Sequence, residues 1–203
     1  MLSHVRAIAA ALEAHDDFTL ILGGDCSVLL GALLGLSRGR DLGLVYIDGH
    51  SDFNIETTSE SGGIAGMDLA LATGRGASEL AHLRNGRPLV RDEHVVTVGV
   101  RDGTFGDAKI RSARTAGEVL HHIGDRDFFV HVDADVLDPS FMPFVDSPTP
   151  GGLDPDELTA MLHVLVRHPR AIGMELTIYD PRDDHDGRGA KLLADILDRA
   201  FEL

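Results

Sequence analysis

Apolar stretches of strand length alternate along this chain with segments of helical periodicity. The apolar stretches predict five strands, at residues 18–23, 42–48, 94–100, 127–133 and 170–180. Apolar positions at helical spacing predict helices at residues 3–15, 26–38, 66–73, 154–168 and 188–201. Buried strands that alternate with helices are typical of a parallel sheet. The pattern therefore predicts an α/β protein with a mainly parallel central sheet.

Capping residues support two of the predicted helix starts. Asp25 or Ser27 is placed to begin the helix at 26–38, and Asp154 precedes Pro155 at the start of the helix at 154–168. The stretch between residues 100 and 127 has little pattern and only weak helical character. We expect His121 and His122, which lie in it, to be surface residues.

Composition and charge narrow the class of protein and its partners. We expect the 203 residues, 43% of them hydrophobic, to form a single domain, 1–203. The net charge of −15 argues against nucleic acid and anionic membranes as partners. One cysteine cannot form an internal disulfide, and neither a signal peptide nor a membrane-spanning stretch is evident. We therefore expect a cytoplasmic protein.

Acidic and coordinating residues follow three of the predicted strands. Asp25 and Cys26 come after the first, "DGHSD" (48–52) after the second, and "DAD" (133–135) after the fourth. The carboxyl ends of parallel strands share one edge of the sheet, where ligands bind. Crowded carboxylates repel each other unless cations neutralise them, so the pattern predicts a metal centre. Taken alone, "DGHSD" also fits a turn with capping aspartates.

Three ordered motifs carry a resemblance to a known family. "GGDCS" (23–27), "DGHSD" (48–52) and "DADVLDP" (133–139) resemble the "GGDHS", "DAHxD" and "DxDxxDP" motifs of the arginase/agmatinase family of ureohydrolases. The resemblance runs from about Thr19 to the C-terminus. It implies a three-layer α/β/α sandwich and a binuclear centre, with manganese as the family's metal.

The resemblance also implies a role for each residue of these motifs. Asp48 and Asp133 would bridge both metals, His50 and Asp135 would complete one site, and the other would be completed by Cys26 and Asp52. A metal-bound hydroxide would then attack a C–N bond of a guanidino or amide-like small molecule. Asp52 would also act in catalysis, by holding that hydroxide through a hydrogen bond.

Further positions match the family's substrate contacts. The segment "FNIETTSESGGIAG" (53–66) aligns with the loop that grips the substrate, with Asn54, Ser59 and Ser61 at its polar positions. "DSPTPGGL" (146–153) places Ser147 at a hydroxyl position near the reacting group. An ordinary polar loop is the alternative for each of these residues singly.

The chain departs from the family pattern at three positions. Cys26 replaces a histidine ligand, and a thiolate suits manganese poorly, so zinc or iron, a single-metal centre or a weakened second site are the alternatives. A further alternative is that Cys26 is a small buried residue that only packs in the core. Ala65 replaces a histidine that shuttles protons. Ile178 replaces the glutamate that anchors the guanidinium, and Glu175 could compensate only by a three-residue slip, which reverses its face.

Two other functional hypotheses remain open at this stage. One is a catalytically silent member that binds metal for a structural or partner-binding role. The other is a mononuclear amidohydrolase that resembles the related deacetylases and uses Asp48 or Asp133, His50 and a second aspartate. The residues that precede this region in the family are missing here, which predicts an exposed edge at strand 18–23. A partner subunit, a covering segment or a truncated gene product would each account for that edge, and of these we expect a partner subunit in a homo-oligomer.

Overall fold

A six-stranded sheet forms the centre of the protein. The computed structural model describes residues 1–14, 16–103 and 105–202. All paired strands are parallel, and their order across the sheet is β1-β6-β5-β2-β3-β4. The strands are β1 (Thr19–Leu22), β2 (Gly43–Ile47), β3 (Val95–Val98), β4 (Arg111–Ser112), β5 (Phe128–Asp133) and β6 (Ala171–Thr177). The predicted α/β class with a mainly parallel sheet is confirmed.

Helices connect the strands, and short 3₁₀ turns add to them. The helices are α1 (Leu2–Leu12), α2 (Val28–Ser37), α3 (Asp68–Ala72), α4 (Ser78–Ala81), α5 (Ala116–Ile123), α6 (Pro155–Val166) and α7 (Arg188–Phe201). The 3₁₀ turns are Ala65–Met67, Asp92–His94 and Ala134–Val136. In the part of the chain that the structure describes, none of these helices combines the length and apolar character needed to cross a bilayer.

Two apolar cores lie on opposite faces of the sheet. Leu44 and Tyr46 of β2 pack with residues of α1 to α4. Val45 and Ile47, which alternate with them, pack with residues of α5, α6 and α7. Because successive side chains of a strand point to opposite faces, one strand supplies both cores. The three-layer α/β/α sandwich implied by the family resemblance is therefore confirmed.

The predicted elements differ from the observed ones mainly at their ends and in the middle of the chain. Strand β6 ends at Thr177, three residues before the predicted end, and the predicted helix end at residue 15 lies outside the described residues. The weakly patterned stretch contains β4 and α5. Helix α5 is begun by a capping box in which Thr115 accepts from the Glu118 backbone and Glu118 from the Thr115 backbone. His121 on this helix is exposed, as predicted.

Helices α1 and α2 pack closely beside the edge strand β1. A Cβ atom at Gly35 would lie 2.6 Å from the carbonyl oxygen of Ala9, so only glycine permits this approach. At the edge of the sheet, Leu20 and Leu22 of β1 expose 42% and 69% of their surface. The predicted exposed edge at strand 18–23 is thus present among the described residues.

Candidate metal centre

The carboxyl ends of β2 and β5 bring Asp48 and Asp133 into one buried cluster. Asp48 follows β2, Asp133 ends β5, and the two strands are neighbours in the sheet. Asp48 is fully buried and Asp133 is 2% exposed. Each accepts a hydrogen bond from the backbone two residues ahead: Asp48 Oδ1 from His50 N at 2.7 Å, and Asp133 Oδ1 from Asp135 N at 2.7 Å. These bonds fix one oxygen of each carboxylate and leave the other turned into the cluster.

His50 and Asp135 meet on the solvent side of Asp48. His50 Nδ1 lies 2.9 Å from Asp135 Oδ2, and His50 Nε2 lies 3.1 Å from Thr149 Oγ1. Asp135 Oδ1 accepts from Gly49 N at 3.0 Å. The potential ligand atoms of Asp48, His50 and Asp135 all lie within 4.8 Å of one another. This arrangement brings together three of the residues that the sequence predicts for one metal site.

Cys26 faces the carboxylates rather than an apolar core alone. Its fully buried Sγ atom donates to Asp133 Oδ2 at 3.0 Å and lies 3.0 Å from Thr177 Oγ1. Burial raises the pKa of this thiol well above its usual value, and Asp133 raises it further. A bound cation would have to displace the thiol proton. The position agrees with the predicted ligand role, and the alternative of plain packing does not account for the contact with Asp133.

Asp52 belongs to a second, unpredicted pairing of carboxylates. Tyr46 Oη lies 2.9 Å from Asp52 Oδ2 and 2.9 Å from Asp68 Oδ1, so one hydroxyl joins both residues. Burial raises the pKa of Asp52 to about 8 and that of Asp68 well above its usual value. Cys26, Asp52 and Asp68 also place potential ligand atoms within 4.8 Å of one another. Asp68 was predicted only as part of the short helix at 66–73, where an aspartate in the first turn is ordinary.

His131 is the second residue that sequence reasoning missed. It lies in β5, two residues before Asp133 and therefore on the same face of the strand. Its ring stacks on Tyr46 with 4.4 Å between ring centroids. His131 Nδ1 lies 2.7 Å from Glu175 Oε1 on β6, and both side chains are fully buried. Tyr46, His131 and Glu175 are register partners on three adjacent strands. A histidine inside the apolar run "FFVHVD" was the available signal.

The cluster contains buried polar atoms that protein groups leave unpaired. Among the described residues, Asp48 Oδ2, Asp68 Oδ2, His131 Nε2 and Glu175 Oε2 are buried here without a hydrogen-bond partner. Such atoms cost free energy unless something else binds them. Carboxylate oxygen, thiolate sulfur and imidazole nitrogen are the donors that divalent cations take in proteins. The residues present therefore fit a divalent cation.

Raised pKa values favour the protonated forms of several side chains in the metal-free cluster, and those protons offset its negative charge. Burial and the neighbouring Asp48 raise the pKa of Asp133 well above its usual value. Although burial alone would lower the pKa of His131, Asp48 and Glu175 raise it. The hydrogen bond to Asp135 raises the pKa of His50 to about 9. Protonated carboxyl groups and imidazoles are what an excess of buried negative charge produces without cations.

A cleft of about 430 Å³ opens from these residues to solvent. Three of the four predicted substrate contacts line it, namely Asn54, Ser61 and Ser147. Ser59 does not line it, because its hydroxyl accepts from Gly62 N at 3.0 Å within the loop. The wall also includes two of the three positions where the chain departs from the family pattern, Ala65 and Ile178.

The register of β6 against β5 determines where the side chains of Glu175 and Ile178 lie. Glu175 pairs with His131 across β5 and is buried beneath the cluster, whereas Ile178 lines the cleft. No three-residue slip brings Glu175 into the position of the family's guanidinium anchor. Ile178 has a φ of 66°, an unusual backbone conformation for a β-branched residue. The cleft thus carries an apolar side chain where the resemblance implies a carboxylate.

Comparisons with known proteins agree with this geometry. A profile described as "Arginase family" matches residues 1–202. The arginase of Bacillus caldovelox is 30% identical over 232 residues, covering 98% of this chain and 78% of that protein. The N(omega)-hydroxy-L-arginine amidinohydrolase of Streptomyces lavendulae is 34% identical over 205 residues, covering 96% and 72%.

Solved structures show the same fold. The crystal structure of arginase from Bacillus subtilis superposes with a TM-score of 0.92 at 26% sequence identity, covering all of this chain and 79% of that one. The match of the family profile, together with the motifs at the strand ends, identifies the chain. It belongs to the arginase family of ureohydrolases.

Proposed function

We propose that this protein is a metal-dependent hydrolase that cleaves a C–N bond of a guanidino or amide-like small molecule. The observation that carries the proposal is that Asp48 belongs to two groups of potential ligand atoms, one with Cys26, His131 and Asp133 and the other with His50 and Asp135. Its Oδ2 atom is buried without a hydrogen-bond partner among the described residues. Mutually repelling carboxylates persist in a buried site when cations offset their charge. Membership of the arginase family supports the reaction class.

The proposed centre is binuclear. Asp48 and Asp133 would bridge two ions, His50 and Asp135 would complete the site nearer the solvent, and Cys26 and Asp52 would complete the deeper one. Such a centre supplies a water molecule whose pKa is lowered towards neutrality. Manganese is the metal that the family implies, and the sulfur of Cys26 favours zinc or iron instead.

The side chains of this chain would position the reactants. Asp52 would be the catalytic group, because its carboxylate also lines the cleft and there would accept a hydrogen bond from the attacking nucleophile. Ser147 and the loop residues Asn54 and Ser61 would hold the polar tail of the substrate through hydrogen bonds. Ser59 is a weaker candidate for such a contact, since it does not line the cleft.

The wall of the cleft bears on the choice of substrate. Ile178 cannot bind a guanidinium cation, and Ala65 cannot transfer a proton. We therefore expect little urea release from arginine or agmatine. One relative is named for its action on N(omega)-hydroxy-L-arginine, so that compound belongs in a substrate screen beside other guanidino and amide compounds.

The experiment pairs metal analysis with that screen. Purified protein would be freed of metal, reloaded with Mn²⁺, Zn²⁺ or Fe²⁺, and assayed for C–N hydrolysis and for metal content per chain. We expect two ions per chain, and expect both metal content and activity to fall in Asp133→Asn. Asp195→Asn, which changes an exposed carboxylate on α7, is the matched control. A protein that binds no divalent ion would overturn the proposal.

A catalytically silent metal-binding protein is the second candidate. The apolar Ile178 and the small Ala65 in the cleft favour it, because both remove groups on which the family's reaction depends. It predicts the same metal content without turnover of any guanidino or amide compound. One ion per chain together with amide hydrolysis would instead favour the mononuclear amidohydrolase.

We further propose that the protein acts as a homo-oligomer in the cytoplasm. The exposed leucines of the edge strand β1 support the assembly, since a second chain would cover the unpaired strand. Sedimentation equilibrium tests it, and a monomer at micromolar concentration would refute it. Cell fractionation tests the location.

A further inference from the structure

The Nε2 atom of His131 is directed at the predicted metal centre without a hydrogen-bond partner among the described residues. This atom is buried and lies 3.6 Å from Asp48 Oδ2. That distance is too long for a hydrogen bond. It is close to the roughly 3.4 Å that separates two nitrogen or oxygen ligands of a tetrahedral zinc ion with bonds of about 2.1 Å.

Glu175 and Tyr46 hold the imidazole in this orientation. With Glu175 Oε1 2.7 Å from Nδ1, the proton of a neutral imidazole lies on Nδ1 and the lone pair of Nε2 is directed at Asp48. The stacked ring of Tyr46 prevents the imidazole from turning away. Metal-binding histidines commonly have their second ring nitrogen bound to a carboxylate in this way. In the metal-free protein a proton on Nε2 faces Asp48 Oδ2, and a divalent cation bound to the neutral imidazole would replace that proton and take both atoms as ligands.

A complete set of four donors surrounds this point. The potential ligand atoms of Cys26, Asp48, His131 and Asp133 all lie within 4.8 Å of one another, and all four residues are buried. One sulfur, one nitrogen and two carboxylates are a donor set that suits zinc better than manganese. The site differs from that of Asp48, His50 and Asp135, where the His50 side chain is 20% exposed and the cleft begins.

We propose that His131 is a metal ligand and that Cys26, Asp48, His131 and Asp133 form a buried site selective for zinc over manganese, with Glu175 positioning the imidazole. The inference rests on the proposed metal centre, and at the deeper ion it replaces Asp52 with His131, a ligand outside the family motifs. The imidazole that is missing at position 26 is thus supplied by β5, which is separated from β1 by β6. Manganese would be confined to the site nearer the solvent.

Zinc binding to metal-free protein tests the assignment without any substrate. Equilibrium dialysis with Zn²⁺ and with Mn²⁺ would compare the wild type with His131→Asn and Glu175→Gln. We expect the first zinc ion to bind at least tenfold more weakly to His131→Asn, and about 10 to 100-fold more weakly to Glu175→Gln. His94→Asn is the matched control, because His94 is also buried with an unpaired Nδ1 but lies outside the cluster. Equal zinc affinity in wild type and His131→Asn would overturn the assignment.

Spectroscopy of the wild type removes any dependence on the folding of the variants. X-ray absorption at the zinc edge of protein loaded with one Zn²⁺ per chain is expected to show one sulfur and one imidazole. Co²⁺ in the same site is expected to give a thiolate charge-transfer band, lost in Cys26→Ser. A zinc ion without sulfur, or with sulfur but no imidazole, would refute the site.

These readouts are separate from the test of the proposed function. An intact zinc site in a protein that hydrolyses none of the screened compounds would overturn the hydrolase and leave the His131 assignment standing. Full hydrolysis together with zinc affinity that is unchanged in His131→Asn would support the hydrolase and overturn the His131 assignment.

Discussion

Removal of divalent cations should make the stability of this protein fall as the pH rises from 6.5 to 8. Burial raises the pKa of Asp52 from 3.8 to about 8, so this carboxyl group stays protonated in the folded metal-free protein and ionises on unfolding. A group whose pKa is raised by folding stabilises the fold at low pH. That contribution is lost as the pH approaches the folded pKa.

The size of the effect follows from the number of protons that the folded state retains. Tyr46 Oη joins Asp52 and Asp68, so we count this pair as holding one proton. Each retained proton lowers the free energy of unfolding by about 1.4 kcal/mol per pH unit, or about 2 kcal/mol over this interval. The raised pKa of Asp133 and that of His50 act in the same direction. The loss is therefore a large share of a typical stability of about 5–15 kcal/mol.

Urea unfolding followed by circular dichroism measures this loss, since the chain has no tryptophan. Metal-free protein is compared with protein saturated with Zn²⁺ or Mn²⁺, in which cations replace the protons and the pH dependence should flatten. Asp52→Asn should reduce the slope in metal-free protein, and Asp195→Asn on the surface of α7 should not. Stability that is constant or increases between pH 6.5 and 8 in the metal-free wild type would refute the reasoning.

Three further predictions concern single residues. Gly35→Ala should destabilise the protein by about 1–3 kcal/mol in urea unfolding, because the new Cβ atom would lie 2.6 Å from the Ala9 carbonyl oxygen. An unchanged unfolding midpoint would contradict this prediction. Asp154→Ala removes the capping box with Glu157 and should cost about 1 kcal/mol, whereas stability equal to wild type would show that the cap contributes nothing. Cys26→His should raise manganese content per chain by elemental analysis, and unaltered occupancy would place Cys26 outside the centre.

The fold class, and the convergence of the acidic motifs at one edge of the sheet, could be predicted from the sequence. Apolar runs marked β2 and β5, although His131 interrupts the second, and their parallel pairing brings Asp48 and Asp133 to one edge of the sheet. The cap at Asp154 before Pro155 was predicted, and the structure adds Glu157 as its capping-box partner. The short β4 and helix α5 were not, because α5 is fixed by a capping box and two buried residues, Val119 and Ile123, rather than by a long apolar face.

Asp68 and His131 could not be assigned from the sequence because their environment is created by tertiary contacts. Asp68 begins a five-residue helix and meets Asp52 only through the hydroxyl of Tyr46. His131 reads as one polar residue in an apolar strand, and its partner Glu175 is 44 residues away. The register of β5 against β6 determines that these two side chains share a face. A pattern along one strand cannot supply that information.

The residues at positions 26, 131 and 175 have one physical explanation when they are considered together. A cysteine at position 26 removes an imidazole from the deep side of the centre and brings its sulfur to within 3.0 Å of Asp133. His131 returns an imidazole to the same side, and the buried carboxylate of Glu175 orients it. The cysteine alone would leave the deep site short of a nitrogen donor, and the histidine alone would leave a buried ring nitrogen unpaired against Asp48. With both as ligands of one ion, as we propose, the site would have four donors, so the cysteine would be a zinc ligand rather than a sign of a decayed manganese site.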